Sequence, residues 1–421
     1  MLFFDINYDM NIRDKLARLD SVPVSPEPEL PAEDVWIEQL QRELDIQVLR
    51  DARSFVLLKE NSFPVYNDPL FDDLRARGFA MPSLQRISSD LPPGLDNLRR
   101  AVFIDTETTG LAGGAGTYAF LIGIGHLELD HIVVRQYLLP DFGHEWLMLN
   151  ALEQALGGFA YTVSFNGKSF DIPLLKNRYV LNRMITSLED MPHLDLLHAA
   201  RRIWRRRLPA CDLQSLERYI LNITRDNDLP GELVPQAYFE FIRKREALLL
   251  RDVLEHNYYD IVHMALLTFK IAAVCEAPLA HLTHPPDIFS LAKYDYQNGR
   301  FSDTLPLLEQ LLNSPEAHRN EWYRESACLL SMAYKRLGDP ERARDHLQEL
   351  LDRNLLQPDI IEALAKHYEH HTHDYQAARE VVERGMRYLE MLRQLDSRSP
   401  WLRYLPRLRH RHQRLLRKLG E

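Results

Sequence analysis

Cysteine is scarce in this chain of 421 residues: Cys211, Cys275 and Cys328 lie far apart and form no CxxC pair. That spacing supports neither a disulfide framework nor a cysteine zinc site, and it reads as reduced, partly buried thiols. Long apolar runs are missing as well, none approaching the roughly 18 residues that span a bilayer. The N-terminus, MLFFDINYDMNIRDK, carries Asp5 and Asp9 where a secretory signal needs a basic start and an unbroken apolar stretch. No membrane partner is expected, and a cytoplasmic setting is. An overall basic excess is also lacking, since the net charge is −10. The acidity is uneven: Asp+Glu against Lys+Arg is 18 to 10 over residues 1–96, 21 to 19 over 97–275 and 22 to 22 over 276–421. The middle third is thus nearly balanced, which leaves room for local basic patches beside any carboxylate cluster.

What is present divides the chain. Residues 21–34, SVPVSPEPELPAED, are rich in Pro and Glu without an apolar period, so 1–34 reads as a flexible acidic segment. Residues 35–96 mix short periodic stretches such as SFVLLKE (54–60) and predict a small extension packed onto the next domain. From Ala101 the stretches AVFIDTE, YAFLIGIGHLE and HIVVRQYLL, joined by short links, predict an antiparallel meander. HEWLMLNALEQAL (144–156) sets Trp146, Leu149, Leu152 and Leu156 at helical spacing, and YTVSFNG (161–167) returns to strand. A helix is expected from near Ser169, then a short HLDL segment, then helical periodicity from about Leu196 to Ala273. Residues 97–275 therefore predict an α/β domain, a mixed sheet flanked by helices.

Beyond residue 285 strand signals vanish. SLAKYDYQNGRFSDTLPLLEQLL, LLSMAYKRLGDPERARDHLQELL and EALAKHYEHHTHDYQAAREVVERGM align as helix, polar turn, helix. Gly299 and Gly338 are 39 residues apart, near the period of about 34 of tetratricopeptide repeats. Residues 285–421 predict an all-α, tetratricopeptide-like domain able to take a protein partner, with an ordinary helical bundle as the alternative. Its tail, Arg393 to Lys418, has nine Lys/Arg and one acid with Trp401 and Tyr404 among them. That composition suits nucleic-acid binding and the packing of a repeat end equally.

Three motifs carry chemistry. In Phe103-Ile104-Asp105-Thr106-Glu107-Thr108-Thr109-Gly110, Asp105 and Glu107 are two apart on a strand and share a face. Two carboxylates held together repel unless a cation lies between them, although solvated acidic pairs are common. Ser164-Phe165-Asn166-Gly167-Lys168-Ser169-Phe170-Asp171 runs from strand through turn to helix, with Asp171 in the first helical turn, where an acid also serves the helix end. Glu255-His256-Asn257-Tyr258-Tyr259-Asp260 puts His256 and Asp260 on one helix face.

The order of the three resembles the DEDD exonuclease superfamily of the ribonuclease H-like fold. DTETTGLAGGAGTYAFLIGIG, HLDLLHAARRIWRRRLP and EHNYYD look more narrowly like the YprB-like group of predicted bacterial exonucleases, over about residues 97–275. The resemblance implies a 3′→5′ exonuclease acting on single-stranded DNA or RNA ends. It further implies two divalent cations, Mg²⁺ or Mn²⁺, held by Asp105, Glu107, Asp171 and Asp260, with His256 deprotonating the attacking water. One departure bears on the base: members with histidine place it five residues before the last Asp and those with tyrosine four, while here Glu255 and His256 occupy those places. Tyr259 and His263 stand as alternative bases. Asp195, in His193-Leu194-Asp195, is read as a positioning acid.

Substrate contacts are expected at Thr108, at Gly116 within GGAGT (113–117), and at Asn166 and Lys168; a hairpin loop and turn chemistry are the other readings of the last three. Arg201, Arg202, Trp204 and Arg205, with Arg206 and Arg207, form the densest basic cluster of the domain. It suits phosphate contact and base stacking, or a solvated helix face. Two other functions use the same residues: an adaptor that has lost activity and acts through the repeats, and an endonuclease on structured nucleic acid.

Overall fold

Among the described residues, seven strands take up the apolar stretches ahead of the helical half. The computed structural model describes residues 32–421 apart from 67–68, 77, 81, 89–90, 92–96, 111–115, 226–227, 314–321 and 354–356. The strands are β1 (Gln47–Arg50), β2 (Phe55–Pro64), β3 (Ala101–Thr108), β4 (Ala119–Glu128), β5 (His131–Leu138), β6 (Tyr161–Ser164) and β7 (His193–Asp195). Their order is β1-β2-β5-β4-β3-β6-β7. The meander β3–β4–β5 is antiparallel, and β6 and β7 join parallel on the other side of β3.

The stretch from 35 to 96 does more than pack against this sheet. β2 pairs with β5 from Leu57↔Leu138 to Pro64↔His131, and β1 closes the edge. The polar run Lys59-Glu60-Asn61 hid this strand, because an edge ribbon half open to solvent needs no apolar alternation there. Most of the expected flexible segment 1–34 lies outside the described residues, and helix α1 (Glu33–Leu44) already includes Glu33 and Asp34.

The longer helices that follow are α2 (Pro69–Ala76), α3 (Glu145–Leu156), α4 (Asp171–Leu181), α5 (Leu196–Trp204), α6 (Val234–Lys244) and α7 (Arg251–Glu276). Alternation along β3 feeds two cores: Val102 and Ile104 pack with Phe120, Leu149 and Tyr238, while Ala101 and Phe103 pack with Val163, Trp204, Ile261 and Phe269. In α3 the buried stripe is Met148, Leu149, Leu152 and Leu156, and Trp146 faces solvent at 49 % exposure. Helix α7 is long and apolar enough to cross a membrane by length and composition, yet 78 % of its apolar window is buried by the fold. It is hydrophobic nearly all round because it is a core helix.

The second core runs on without a break into the all-helical region, through Phe289 and Leu291. Its helices, α8 (Pro285–Gln297), α9 (Phe301–Leu312), α10 (Tyr323–Arg336), α11 (Pro340–Asp352), α12 (Pro358–His370), α13 (Tyr375–Leu395) and α14 (Leu405–Leu419), each pack against the next. The first two hairpins turn at Gly299 and Gly338, both at φ near +80°, which only glycine adopts without strain. Part of the basic charge of α14 is spent within the fold: Arg411, Arg414 and Lys418 all converge on the fully buried Glu369 of α12, while Arg407, Arg409 and Arg417 are exposed.

Candidate active site

β3 is where the antiparallel and parallel halves of the sheet meet. The carboxyl ends of β3, β6 and β7 open on one side of it, the place where ligands lodge in sheets of this kind. β3 is buried through Ile104 and half-open from Asp105 onward, so its two carboxylates stand at the mouth. A register shift between Glu107 and Thr108 ends the strand there. Asp171 opens α4, but it reaches back across the sheet rather than capping its helix. Its Oδ1 accepts from the Thr106 amide (3.0 Å) and hydroxyl (2.6 Å), 65 residues away.

α7 brings the remaining groups, and it lies close enough because β4 is stripped of side chains beneath it. A Cβ on Gly123 would stand inside the carboxamide of Asn257, and one on Gly125 would collide with Ile261. Gly123 pairs with Asp105 across β3 and β4. From α7, Asn257 Nδ2 donates to Asp105 Oδ2 (2.8 Å), and Gln136 Nε2 donates to Asn257 Oδ1 (2.9 Å), so a buried amide chain orients Asp105. His256 Nε2 lies 3.9 Å from Glu107 Oε1 and 3.6 Å from Asp260 Oδ2. Its Nδ1 is 2.8 Å from Asp228 Oδ1, and Arg225 Nη2 holds Asp260 Oδ1 at 2.5 Å.

Burial pushes the carboxyls of Asp105 and Glu107 well above the usual range. Asp260 and Asp171 add repulsion at Asp105; at Glu107, Asp105 and Asp260 do. Burial also raises Asp171, to about 6, against the pull of the Thr106 hydrogen bonds, and raises Asp260 against Arg225 and His256. A buried acidic cluster in this condition calls for positive charge. Glu107, His256 and Asp260 offer one atom each within 4.8 Å of one another, two carboxylate oxygens and an imidazole nitrogen; with Asp105 and Asp171 beside them, the carboxylate oxygens are the donors that suit a divalent cation such as Mg²⁺ or Mn²⁺.

The other expected residues divide. His263 turns away to Glu217 (2.9 Å), with Tyr259 stacked on its ring, so neither addresses the carboxylates. Asp195 accepts from the amides of Asn166 (2.9 Å), Lys168 (3.2 Å) and Leu197 (3.0 Å) and fixes the turn before Asp171. Asn166 sits there at φ +64°. Thr108 donates to the Gly110 carbonyl (2.9 Å), shaping the loop entry. Gly116 is exposed with open space around it, and 113–115 lie outside the described residues.

The basic cluster needs correction. Trp204 is 1 % exposed and belongs to the core, so it offers no face to a base. Arg202 donates to the Ile87 carbonyl and lies over Tyr294, Arg206 covers Phe289, and Arg207 pairs with Asp287 at 2.7 Å. These three fasten the helical region to the sheet domain, because α5 presents one face to α8 and only the opposite face to solvent. Arg201 and Arg205 remain exposed, along a cavity of about 810 Å³ shared with Phe165 and Asn166.

Asn257, Gln136, Arg225 and Asp228 escaped sequence reasoning. Asn257 was legible inside EHNYYD, whereas Arg225 and Asp228 sit in the aperiodic TRDND (224–228), where nothing marks them.

This fold and this acidic centre define a nuclease-type protein of the ribonuclease H-like class, and the sequence comparisons agree. The model of the RNase_H superfamily matches residues 102–272. The chain is 34 % identical over 300 residues, 69 % of its own length and 70 % of the relative's, to YprB of Bacillus subtilis (strain 168), a protein described as uncharacterized. The chain belongs to the YprB-like group of the ribonuclease H superfamily.

Proposed function

We propose that this protein is a metal-dependent 3′→5′ exonuclease that trims single-stranded ends of DNA or RNA. The observation that carries the reading is the approach of the His256 imidazole to Glu107 and Asp260, beside Asp105 and Asp171, at the open end of the sheet. Asp105, Glu107, Asp171 and Asp260 would hold two divalent cations, which when bound supply Lewis acidity toward the scissile phosphate and relieve the repulsion among the acids. His256 Nε2 takes the proton of the attacking water as its oxygen bonds to phosphorus. The P–O3′ bond breaks with its electron pair on the 3′ oxygen, which is protonated by solvent, and a nucleoside 5′-monophosphate leaves. Arg201 and Arg205 would engage phosphates of the incoming strand along the neighbouring cavity, with Asn166 at its inner end. The helical region serves as a tetratricopeptide-like platform for a protein partner, a reading supported by its successive hairpins.

The test is hydrolysis of 5′-labelled single-stranded DNA and its RNA counterpart with Mn²⁺ or Mg²⁺, comparing wild type with Asp105→Ala. A metal-dependent ladder that shortens from the 3′ end and is absent in the variant is expected. Internal cuts insensitive to a blocked 3′ end would turn the reading to an endonuclease, and binding without cleavage under any divalent ion would turn it to an adaptor.

A further inference from the structure

An imidazole works as a base only if the nitrogen facing the substrate keeps its lone pair. A neutral ring has one N–H and one bare nitrogen, and the partner of one nitrogen decides the state of the other. At His256 that partner is a carboxylate from outside the helix: Asp228 Oδ1 lies 2.8 Å from Nδ1. An ionised carboxylate can only accept, so in a neutral ring facing one, Nδ1 carries the hydrogen and Nε2 is bare. Nε2 then faces Glu107 Oε1 at 3.9 Å and Asp260 Oδ2 at 3.6 Å. Both distances exceed a hydrogen bond, and one water lying over the three atoms can reach all of them.

We propose that Asp228 is the positioning residue of this site, fixing the Nδ1-protonated tautomer of His256 and aiming its Nε2 lone pair at the water between Glu107 and Asp260. The proposal rests on the hydrolytic reading above. Arg225 keeps Asp228 in place, with Nη1 3.5 Å from Asp228 Oδ2. The same guanidinium donates to the His256 carbonyl (3.4 Å) and holds Asp260 Oδ1, leaving Oδ2 on the His256 side. Two side chains three residues apart on one loop thus reach both functional groups of α7. Arg225, Asp228 and His256 are all at least 85 % buried in their side chains, so solvent competes little for these bonds. When Nε2 takes the proton of water, the Nδ1–H stays on the ring and the positive charge faces the Asp228 anion. In this role Asp228 acts through the histidine, while its charge also adds to the repulsion at Glu107.

The experiment is nitrogen NMR of the His256 ring in the full chain, labelled with ¹⁵N-histidine and assigned through His256→Gln. It is run without metal and with Mg²⁺, at a pH where the spectra show the ring neutral. Wild type is expected as the Nδ1–H tautomer. Asp228→Ala should move the ring toward Nε2–H, while Asp228→Asn, whose amide oxygen still accepts, should keep it largely Nδ1–H. On single-stranded DNA, Asp228→Ala should lower kcat by about 10²- to 10⁴-fold with KM little changed, and Asp228→Asn should recover part of that loss. An unchanged tautomer in Asp228→Ala, or an unchanged kcat beside an active wild type, overturns the proposal. A wild type that hydrolyses nothing counts against the nuclease reading alone, because the spectra judge the tether without any turnover.

Discussion

Two of the carboxylate sites among the described residues meet opposite ends. On α12, Glu369 is fully buried, and burial alone would raise its pKa. Hydrogen bonds from Arg414 and Lys418 outweigh that and hold it down at about 2, with Arg411 adding attraction. At the end of β3, Asp105 and Glu107 are pushed up by burial and by neighbouring acids, Asp260 and Asp171 at Asp105 and Asp105 and Asp260 at Glu107, with Asn257 and a more distant Arg225 as partial relief at Asp105. The chain neutralises one site from within and leaves the other short of positive charge. The first kind of site fastens an element, and under the proposed function the second takes a cation from outside.

The comparison breaks most visibly at Asp105. Asp105→Asn should reduce hydrolysis by about 10³-fold or more and at the same time raise the urea midpoint of the metal-free protein, because it removes a repelling charge. Unchanged metal-free stability would show that the cluster is not under electrostatic stress. The pH dependence carries the same contrast. Asp171 titrates at about 6 when folded against an ordinary 3.8, so the metal-free fold binds protons that the unfolded chain releases. That stability is present below about 4 and is lost as pH rises through about 6, whereas the part due to Glu369 is present above 4.5 and lost as pH falls toward 2. Urea midpoints measured across pH with EDTA and with Mn²⁺ should show the first slope only in EDTA and the second in both.

Gly123→Ala comes next. Pushing Asn257 and α7 off the sheet should remove about 2 kcal/mol and most of the activity, since it moves His256 and Asp260 away from Asp105. Glu369→Gln should remove about 2 kcal/mol as well, discounted for the partial exposure of its cations, yet leave turnover per folded molecule unchanged. Loss of activity there would mean that the helical region supports the site directly. The smallest effect belongs to the arginines in and just after α5. Arg201→Ala or Arg205→Ala should lower the slope of log affinity against log salt by about 1 without changing the thermal midpoint, while Arg206→Ala should lower the midpoint and leave the slope alone.

The linear chain settled what depends on local pattern. The alternation in AVFIDTE put Asp105 and Glu107 on one face of a strand, and the three following apolar stretches gave the meander and the parallel return at YTVS. The four-residue step from His256 to Asp260 put both on one side of a helix, and the loss of strand signals marked the helical region. Each of these is a period of 2 or 3.6 residues, which sequence carries directly. The tertiary structure decided what depends on closeness between distant segments. It added β2 to the sheet at β5, turned Trp204 inward and spent Arg202, Arg206 and Arg207 on the helical region. It sent part of the basic tail to Glu369, and it joined Asp228 and Arg225 to α7 and Asn257 to Asp105. None of these pairings has a period. Each follows from where the sheet and its covering helices leave a charge or an amide without water, and that is a property of the packed molecule.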